Sequence, residues 1–335
     1  MKFNHDYKGT FGLLQPATVL TGLLLVVSSS TFAQDFKGVV FFGTSLSDPG
    51  NHFIEFGTTA LQPFAPVPDS SYAIGGHHFS NGATWAEQVA SGLHMPTSGG
   101  AALRAHGVFT NYAFGRARAR QCGAVPAACP SGQYPVGVVD LGFEVGHFLS
   151  DVGGKAPESN LYVMEIGAND ITDALGAFQT DPTGATSFAI IGAAVTAEAQ
   201  SLQALYVAGG RTFLVLNTPN FALTPLFRSL GPAAQFAATQ LALAYDGAMG
   251  QVLAALGALP GIRFIRVDLN AVLAQVETQP AAFGIANAVD ACLTFGVMGN
   301  AVCSTPNRYL FWDGVHPTTA GHSLLAARVL QALGH

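Results

Sequence analysis

Charge is scarce in this chain. Asp, Glu, Lys and Arg together make up 10% of its 335 residues, with 14 basic against 20 acidic side chains and a formal net charge of −6. No basic cluster occurs, so the electrostatic footprint of a nucleic-acid binder is missing. Internal repeats and low-complexity tracts are absent, and so is the G-x-S-x-G elbow that would mark an α/β-hydrolase. Cysteine is limited to four residues, and neither close pair has the ligand spacing or neighbouring histidines of a zinc site.

Apolar residues make up 49% of the sequence, ample for one large α/β domain, and no linker forces a split. The N-terminus combines Lys2 and Lys8, an apolar stretch from Ala17 to Val27, and small residues at Thr31 and Ala33. Basic, short apolar and small, in that order, describes a secretory signal peptide over residues 1–33, cut between Ala33 and Gln34. The remaining domain spans residues 34–335. A membrane anchor is the alternative, disfavoured by the shortness of the run. Export to the periplasm or the medium is therefore expected, and there an even number of cysteines reads as disulfides. Four cysteines allow three pairings, and the two close spacings favour Cys122 with Cys129 and Cys292 with Cys303.

Short β-branched or aromatic runs alternate with longer Ala/Leu-rich stretches of helical spacing, the signature of a parallel sheet flanked by helices. Strands are expected at 38–42, 108–113, 160–166, 212–216 and 262–267. Helices are expected at 82–93, 137–152, 187–208, 233–256, 270–277 and 318–333. The predicted fold is α/β, a three-layer α/β/α sandwich around a central parallel sheet in a single domain. In open parallel sheets the ligand lies beyond the carboxyl ends of the strands, where Ser45, Gly115 and Asn169 would converge. Two Pro/Gly-rich insertions, 55–76 and 116–136, read as loops that wall a substrate pocket.

Ser45 stands at the end of the apolar run Val39-Val40-Phe41-Phe42-Gly43-Thr44, and Asp313 precedes His316 by three residues in Trp312-Asp313-Gly314-Val315-His316-Pro317. A serine hydroxyl is a weak nucleophile until a base takes its proton, and that base works best when a carboxylate holds its tautomer. Between these segments lie Asn111-Tyr112-Ala113-Phe114-Gly115 and Gly167-Ala168-Asn169-Asp170. In this order the four blocks resemble those of the SGNH/GDSL hydrolases: F-G-D-S-L-S-D-x-G-N, a glycine block, G-x-N-D and D-x-x-H. The stretch from His78 to Glu87 resembles the F-S-N-G-x-x-W-x-E run of the bacterial lecithinase/haemolysin-like branch, and the whole match spans residues 38–322.

The resemblance implies an SGNH/flavodoxin-like fold and a serine ester hydrolase. Ser45 would be the nucleophile, His316 the base and Asp313 the residue that orients it. The backbone N–H of Ser45, the backbone N–H of the glycine block, taken as Gly115, and the Asn169 side-chain amide would form the oxyanion hole. Neither a metal nor an organic cofactor is implied. The branch implies acyl esters as substrates, lysophospholipids and phospholipids among them, with transient contact with a lipid surface and no obligate protein partner. Two alternatives stay open: a short-chain or carbohydrate deacetylase on the same scaffold, and an inactive secreted binding or adhesion protein. The second is motivated by two departures, Thr44 where the family has aspartate and Arg116 where it commonly has a second glycine.

Other residues receive structural readings. Thr44 is expected to alter support of the loop more than the chemistry. Asp170 is expected to cap the short helix that follows it. Asn81 reads as a helix start and Trp85 as a packing residue. His77 and His78 read as loop residues, because adjacent side chains on an extended chain point apart.

Overall fold

A computed structural model of the chain describes residues 36–121 and 139–335. The predicted signal peptide, Cys122 and Cys129 lie outside the described residues. Four parallel strands, β1 (Gly38–Gly43), β2 (Asn160–Glu165), β3 (Thr212–Leu216) and β4 (Arg263–Val267), form a sheet in the order β1-β2-β3-β4. Along β1, Val39 and Phe41 point to one face and Val40 and Phe42 to the other, and all four are fully buried. A strand apolar on both faces must be covered on both, as parallel sheets with crossover helices are.

The helices supply that cover. On the face of Val40 and Phe42 lie α3 (Leu141–Asp151), α4 (Ala168–Ala177), α5 (Ala185–Ala208) and α7 (Pro232–Leu256). On the face of Val39 and Phe41 lie α2 (Trp85–Gly92), α8 (Leu269–Thr278) and α9 (Thr319–Leu333). Two short helices, α1 (Asn51–Phe56) and α6 (Pro225–Ser229), sit in the loops after β1 and β3. The predicted three-layer α/β/α architecture is thus the observed one.

Several boundaries differ from the sequence expectation. The expected strand at 108–113 is not regular. It runs along β1, with Phe41 N–H donating to Thr110 O at 3.0 Å and Tyr112 N–H to Phe41 O at 2.8 Å, but only Asn111 pairs as a bridge. Its side chains explain the irregularity: Thr110 Oγ1 donates to Val39 O and Asn111 Nδ2 to Ser47 O, competing with a regular ladder. The helix expected from residue 82 starts at Trp85, where Thr84 and Glu87 form a capping box. Asn81 instead accepts from Thr319 N–H at 2.8 Å, satisfying an orphan donor in the first turn of α9. A small second sheet of β5 (Asn287–Ala291) and β6 (Tyr309–Phe311), not expected from the sequence, leads into the Asp313 segment.

Insertion 55–76 is the loop expected, and it belongs to a satellite core. Phe64 and Tyr72 from it pack with Cys292, Leu293, Ala301 and Trp312. Cys292 and Cys303 are joined by a disulfide, the pairing favoured by their spacing.

Candidate active site

Ser45 follows β1 directly, at the carboxyl end of the sheet. Its Oγ lies 2.8 Å from His316 Nε2, and His316 Nδ1 lies 2.7 Å from Asp313 Oδ2. Asp313 is completely buried and its other oxygen, Oδ1, accepts from the backbone N–H groups of Val315 and His316 at 2.9 and 2.8 Å. A carboxylate that faces Nδ1 at this distance needs a donor there. His316 therefore carries its proton on Nδ1 and turns the lone pair of Nε2 to the Ser45 hydroxyl. Ser45 and His316, 271 positions apart, meet on the wall of one cavity of about 590 Å3, with Asp313 buried behind them.

The loop bearing Ser45 rests on buried carboxylates. Glu165, the last residue of β2, accepts from Thr44 N–H at 3.2 Å, from Thr44 Oγ1 at 3.0 Å and from Ser47 Oγ at 2.9 Å. Ser47 Oγ in turn accepts from Trp85 Nε1 at 3.1 Å. Glu144 on α3 accepts from Gly43 N–H at 2.8 Å and Phe114 N–H at 3.2 Å. Burial pushes Glu165 up to about 7, against the pull of the Ser47 and Thr44 donors, and pushes Glu144 well above the carboxylate range. Thr44 thus supports the loop through Glu165, and it also lines the cavity beside Ser45. Glu165 carries a sequence signal, a charged residue at the end of an apolar run that burial obliges to find partners.

Asp48 is buried beside them and held up to about 6 by that burial. Its carboxylate accepts from the N–H groups of Gly50, Asn51 and His52, and also from Gly115 N–H at 2.7 Å. This last bond bears on Gly115, the expected oxyanion donor. The N–H of Gly115 is already engaged by Asp48, and the residue lies behind the cavity wall, where a Cβ would fall 2.1 Å from the Phe79 ring. The adjacent Arg116 lines the cavity instead, with φ at +69°.

Asn169 also lines the cavity, on the first turn of α4, and one of its amide N–H bonds goes to Ala117 O at 2.8 Å. The preceding Gly167 has φ of +102°, and a Cβ there would meet the Tyr245 ring at 2.7 Å, so both conformation and space call for glycine. Asp170 does not cap its helix. Its carboxylate accepts from Ala119 N–H at 2.8 Å and pairs with Arg120 at 2.7 Å, while Asp173 binds Arg118 through two bonds of 2.6 and 2.8 Å and Arg120 at 2.7 Å. Burial still pushes Asp170 upward, against the pull of Arg120. Two arginines within the 116–121 segment draw both carboxylates out of α4, overriding the local capping preference.

The histidines expected to be loop residues are so. His77 stacks on Phe53 at 3.5 Å, and His78 bonds to Gly75 O and lies 2.9 Å from Glu87. Among the described residues no group of three His, Cys, Asp or Glu could hold a metal ion. Residues that sequence reasoning missed include Tyr72, whose hydroxyl donates to Asp313 Oδ2 at 2.9 Å. Nothing in the order of residues around Tyr72 signals that bond.

Known proteins share this chain's sequence pattern. The chain is 25% identical over 310 residues to the thermolabile hemolysin of Vibrio parahaemolyticus, covering 88% of this chain and 63% of the hemolysin's length. It is 23% identical over 348 residues to the GDSL esterase/lipase At1g23500 of Arabidopsis thaliana, covering 94% of this chain and 98% of that protein. Among solved structures, a catalytic mutant of Axe2, an acetylxylan esterase from Geobacillus stearothermophilus, aligns with 91% of this chain and 96% of its own, at 14% identity and a TM-score of 0.45. The model of the GDSL-like lipase/acylhydrolase family matches residues 39–329, so the chain belongs to that family and is an ester hydrolase of the GDSL type.

Proposed function

We propose that this chain is an exported serine esterase that cleaves acyl esters through an acyl-enzyme on Ser45. The observation that carries the reading is the unbroken hydrogen-bonded path from Ser45 Oγ through His316 to Asp313 at the wall of the large cavity. As Ser45 Oγ attacks the ester carbonyl, His316 Nε2 takes its proton and Asp313 stabilises the resulting imidazolium. The oxyanion accepts from the Ser45 N–H, the Asn169 amide and the Arg116 N–H, which replaces Gly115 in this role. Each such donor contributes about 2.7–4 kcal/mol to the transition state. Return of the proton from His316 releases the alcohol, and His316 then activates a water that hydrolyses the acyl-enzyme.

A cavity of about 590 Å3 is in the range that holds a drug-sized ligand and far exceeds an acetyl group, which supports acyl chains of several carbons over short-chain deacetylation. Relatives named hemolysin and esterase/lipase support lipid esters as the substrate class. Val67 on the cavity wall is exposed, as is Leu61 in the same insertion, which suits transient contact with a lipid surface. The Cys292–Cys303 disulfide supports export, since such bonds persist in oxidising compartments. N-terminal sequencing of the exported protein should begin at Gln34.

Ser45→Ala is expected to lower p-nitrophenyl ester turnover by about 10^4-fold or more and to abolish organophosphonate labelling, with the fold intact. Retained turnover removes Ser45 from the reaction. A panel of esters from acetyl to lauroyl tests the chain-length reading, and a maximum at acetyl refutes it.

A further inference from the structure

Tyr72 lies on insertion 55–76, is 1% exposed and is not part of the cavity wall. Its ring stands edge-on to Phe64 at 5.5 Å and to Trp312 at 5.7 Å, and its hydroxyl reaches the same Asp313 oxygen that faces His316 Nδ1. We propose that Tyr72 is a positioning residue for the reaction, fixing the Asp313 carboxylate and drawing off part of the negative charge that Asp313 presents to His316. This rests on the triad reading above.

Four donors converge on the two oxygens of Asp313: two backbone N–H groups on Oδ1, and Tyr72 and His316 on Oδ2. Tyr72 alone comes from outside the Asp313–His316 turn. Burial and the neighbouring Asp313 charge push its hydroxyl far above the ordinary tyrosine range, so it keeps its proton and acts as a donor at any working pH. The backbone around it is fixed as well. Tyr72 N–H donates to His78 O at 2.8 Å, and Gly314 N–H, within the turn itself, donates to Pro66 O at 2.7 Å. The disulfide-closed loop holds the other side of the insertion through Gly296 N–H to Phe64 O at 3.0 Å and Gly299 N–H to Gln62 Oε1 at 2.7 Å. The insertion therefore carries both part of the cavity wall, at Val67 to Asp69, and a hydrogen bond to the triad acid.

The sign of the effect follows from charge. A hydrogen bond donated to a carboxylate lowers the charge felt by its other partner. Without the Tyr72 hydroxyl, Asp313 favours the imidazolium more strongly, so the acid limb of kcat/KM moves to higher pH. Besides Asp313, Glu165 and His322 interact electrostatically with His316, His78 interacts with His322, and Asp69, Arg116, Arg118 and Asp173 line the same cavity. Tyr72→Phe changes none of them.

The test uses the full exported chain on p-nitrophenyl butyrate between pH 5 and 9, comparing wild type, Tyr72→Phe, Asp313→Asn and the double variant. Tyr72→Phe should lower kcat about tenfold, as loss of a hydrogen bond to a charged group does, with KM within about twofold. Its acid limb should rise by about half a pH unit, and the double variant should match Asp313→Asn within about twofold. Site-specific 3-fluorotyrosine at position 72, a stronger donor in the same space, should move the limb the other way; this arm holds even if the phenylalanine variant folds poorly. An unchanged kcat and limb for Tyr72→Phe beside an inactive Asp313→Asn overturns the proposal, as does an additive loss in the double variant. Wild-type activity in Asp313→Asn overturns the triad reading itself, and this proposal with it.

Discussion

The Ser45 loop and the Asp313–His316 turn meet through one hydrogen bond, yet different chemistry holds each in place. Around Ser45, backbone N–H and hydroxyl donors converge on Asp48, Glu144 and Glu165, three carboxylates buried against the sheet. Around Asp313, support comes from an apolar satellite core of Phe64, Tyr72, Trp312 and Leu293, closed by the Cys292–Cys303 disulfide and joined to the turn by few polar contacts. The difference follows from position. Ser45 leaves a central layer whose loops must satisfy orphan N–H groups out of reach of water, and buried carboxyl oxygens supply the acceptors. The Asp313 turn lies beyond the sheet, where Val315 touches the main core on one side and a local, cross-linked apolar wall is built on the other.

This contrast makes the first half sensitive to charge removal and pH, and the second to reduction. The largest effect is expected at the arginine–aspartate cluster that ties the Arg116 segment to α4. Asp170→Asn removes one of the two carboxylates paired with the buried Arg120, leaving Asp173 to it, and should lower unfolding free energy by about 3 kcal/mol in urea titrations, with lost activity. A variant as stable as wild type would break the view that the cluster holds this side. Next, Cys292→Ser with Cys303→Ser opens a loop with a sequence separation of 11, which loop-closure entropy values at about 2.5–3 kcal/mol. Activity should fall under dithiothreitol in wild type and not further in the double serine variant.

The smallest effect is the pH slope. Glu165 is raised in the folded state from 4.5 to about 7, and Glu198, bonded to Tyr245 in the core, to about 8, both chiefly by burial. A raised carboxylate contributes stability that is fully present below the unfolded value and is lost as pH rises through the folded one. Thermal midpoints should therefore fall between about pH 5 and pH 8, and Glu198→Gln should flatten that slope. An equal slope in Glu198→Gln would remove this residue from the account.

The four strands of the main sheet and six of the helices were legible because apolar periodicity is a local property, whereas α1, α4 and α6 were not expected over their observed ranges. β3 was read to the residue, and α5, α7 and α8 to within two residues at each end. Where the reading failed, a distant partner had captured a group: Asp170 drawn to Arg120 instead of capping α4, Asn81 to α9 instead of α2, and the 108–113 edge made irregular by its own side chains. The β5–β6 pair went unread because its strands are only five and three residues long, and β5 carries Asn287 and Asp290.

Sequence alone marked the candidate reacting groups and their order, since a serine after an apolar strand and an aspartate three residues before a histidine are each patterns spanning a few positions. Tertiary structure decided which donors those groups keep. Asp48, 67 positions from Gly115, engages that N–H and leaves the cavity wall to Arg116. Tyr72, 241 positions from Asp313, reaches its carboxylate. Hydrogen bonds act only within about 3 Å, and which groups come that close across such separations is set by how the layers pack and not by residue order.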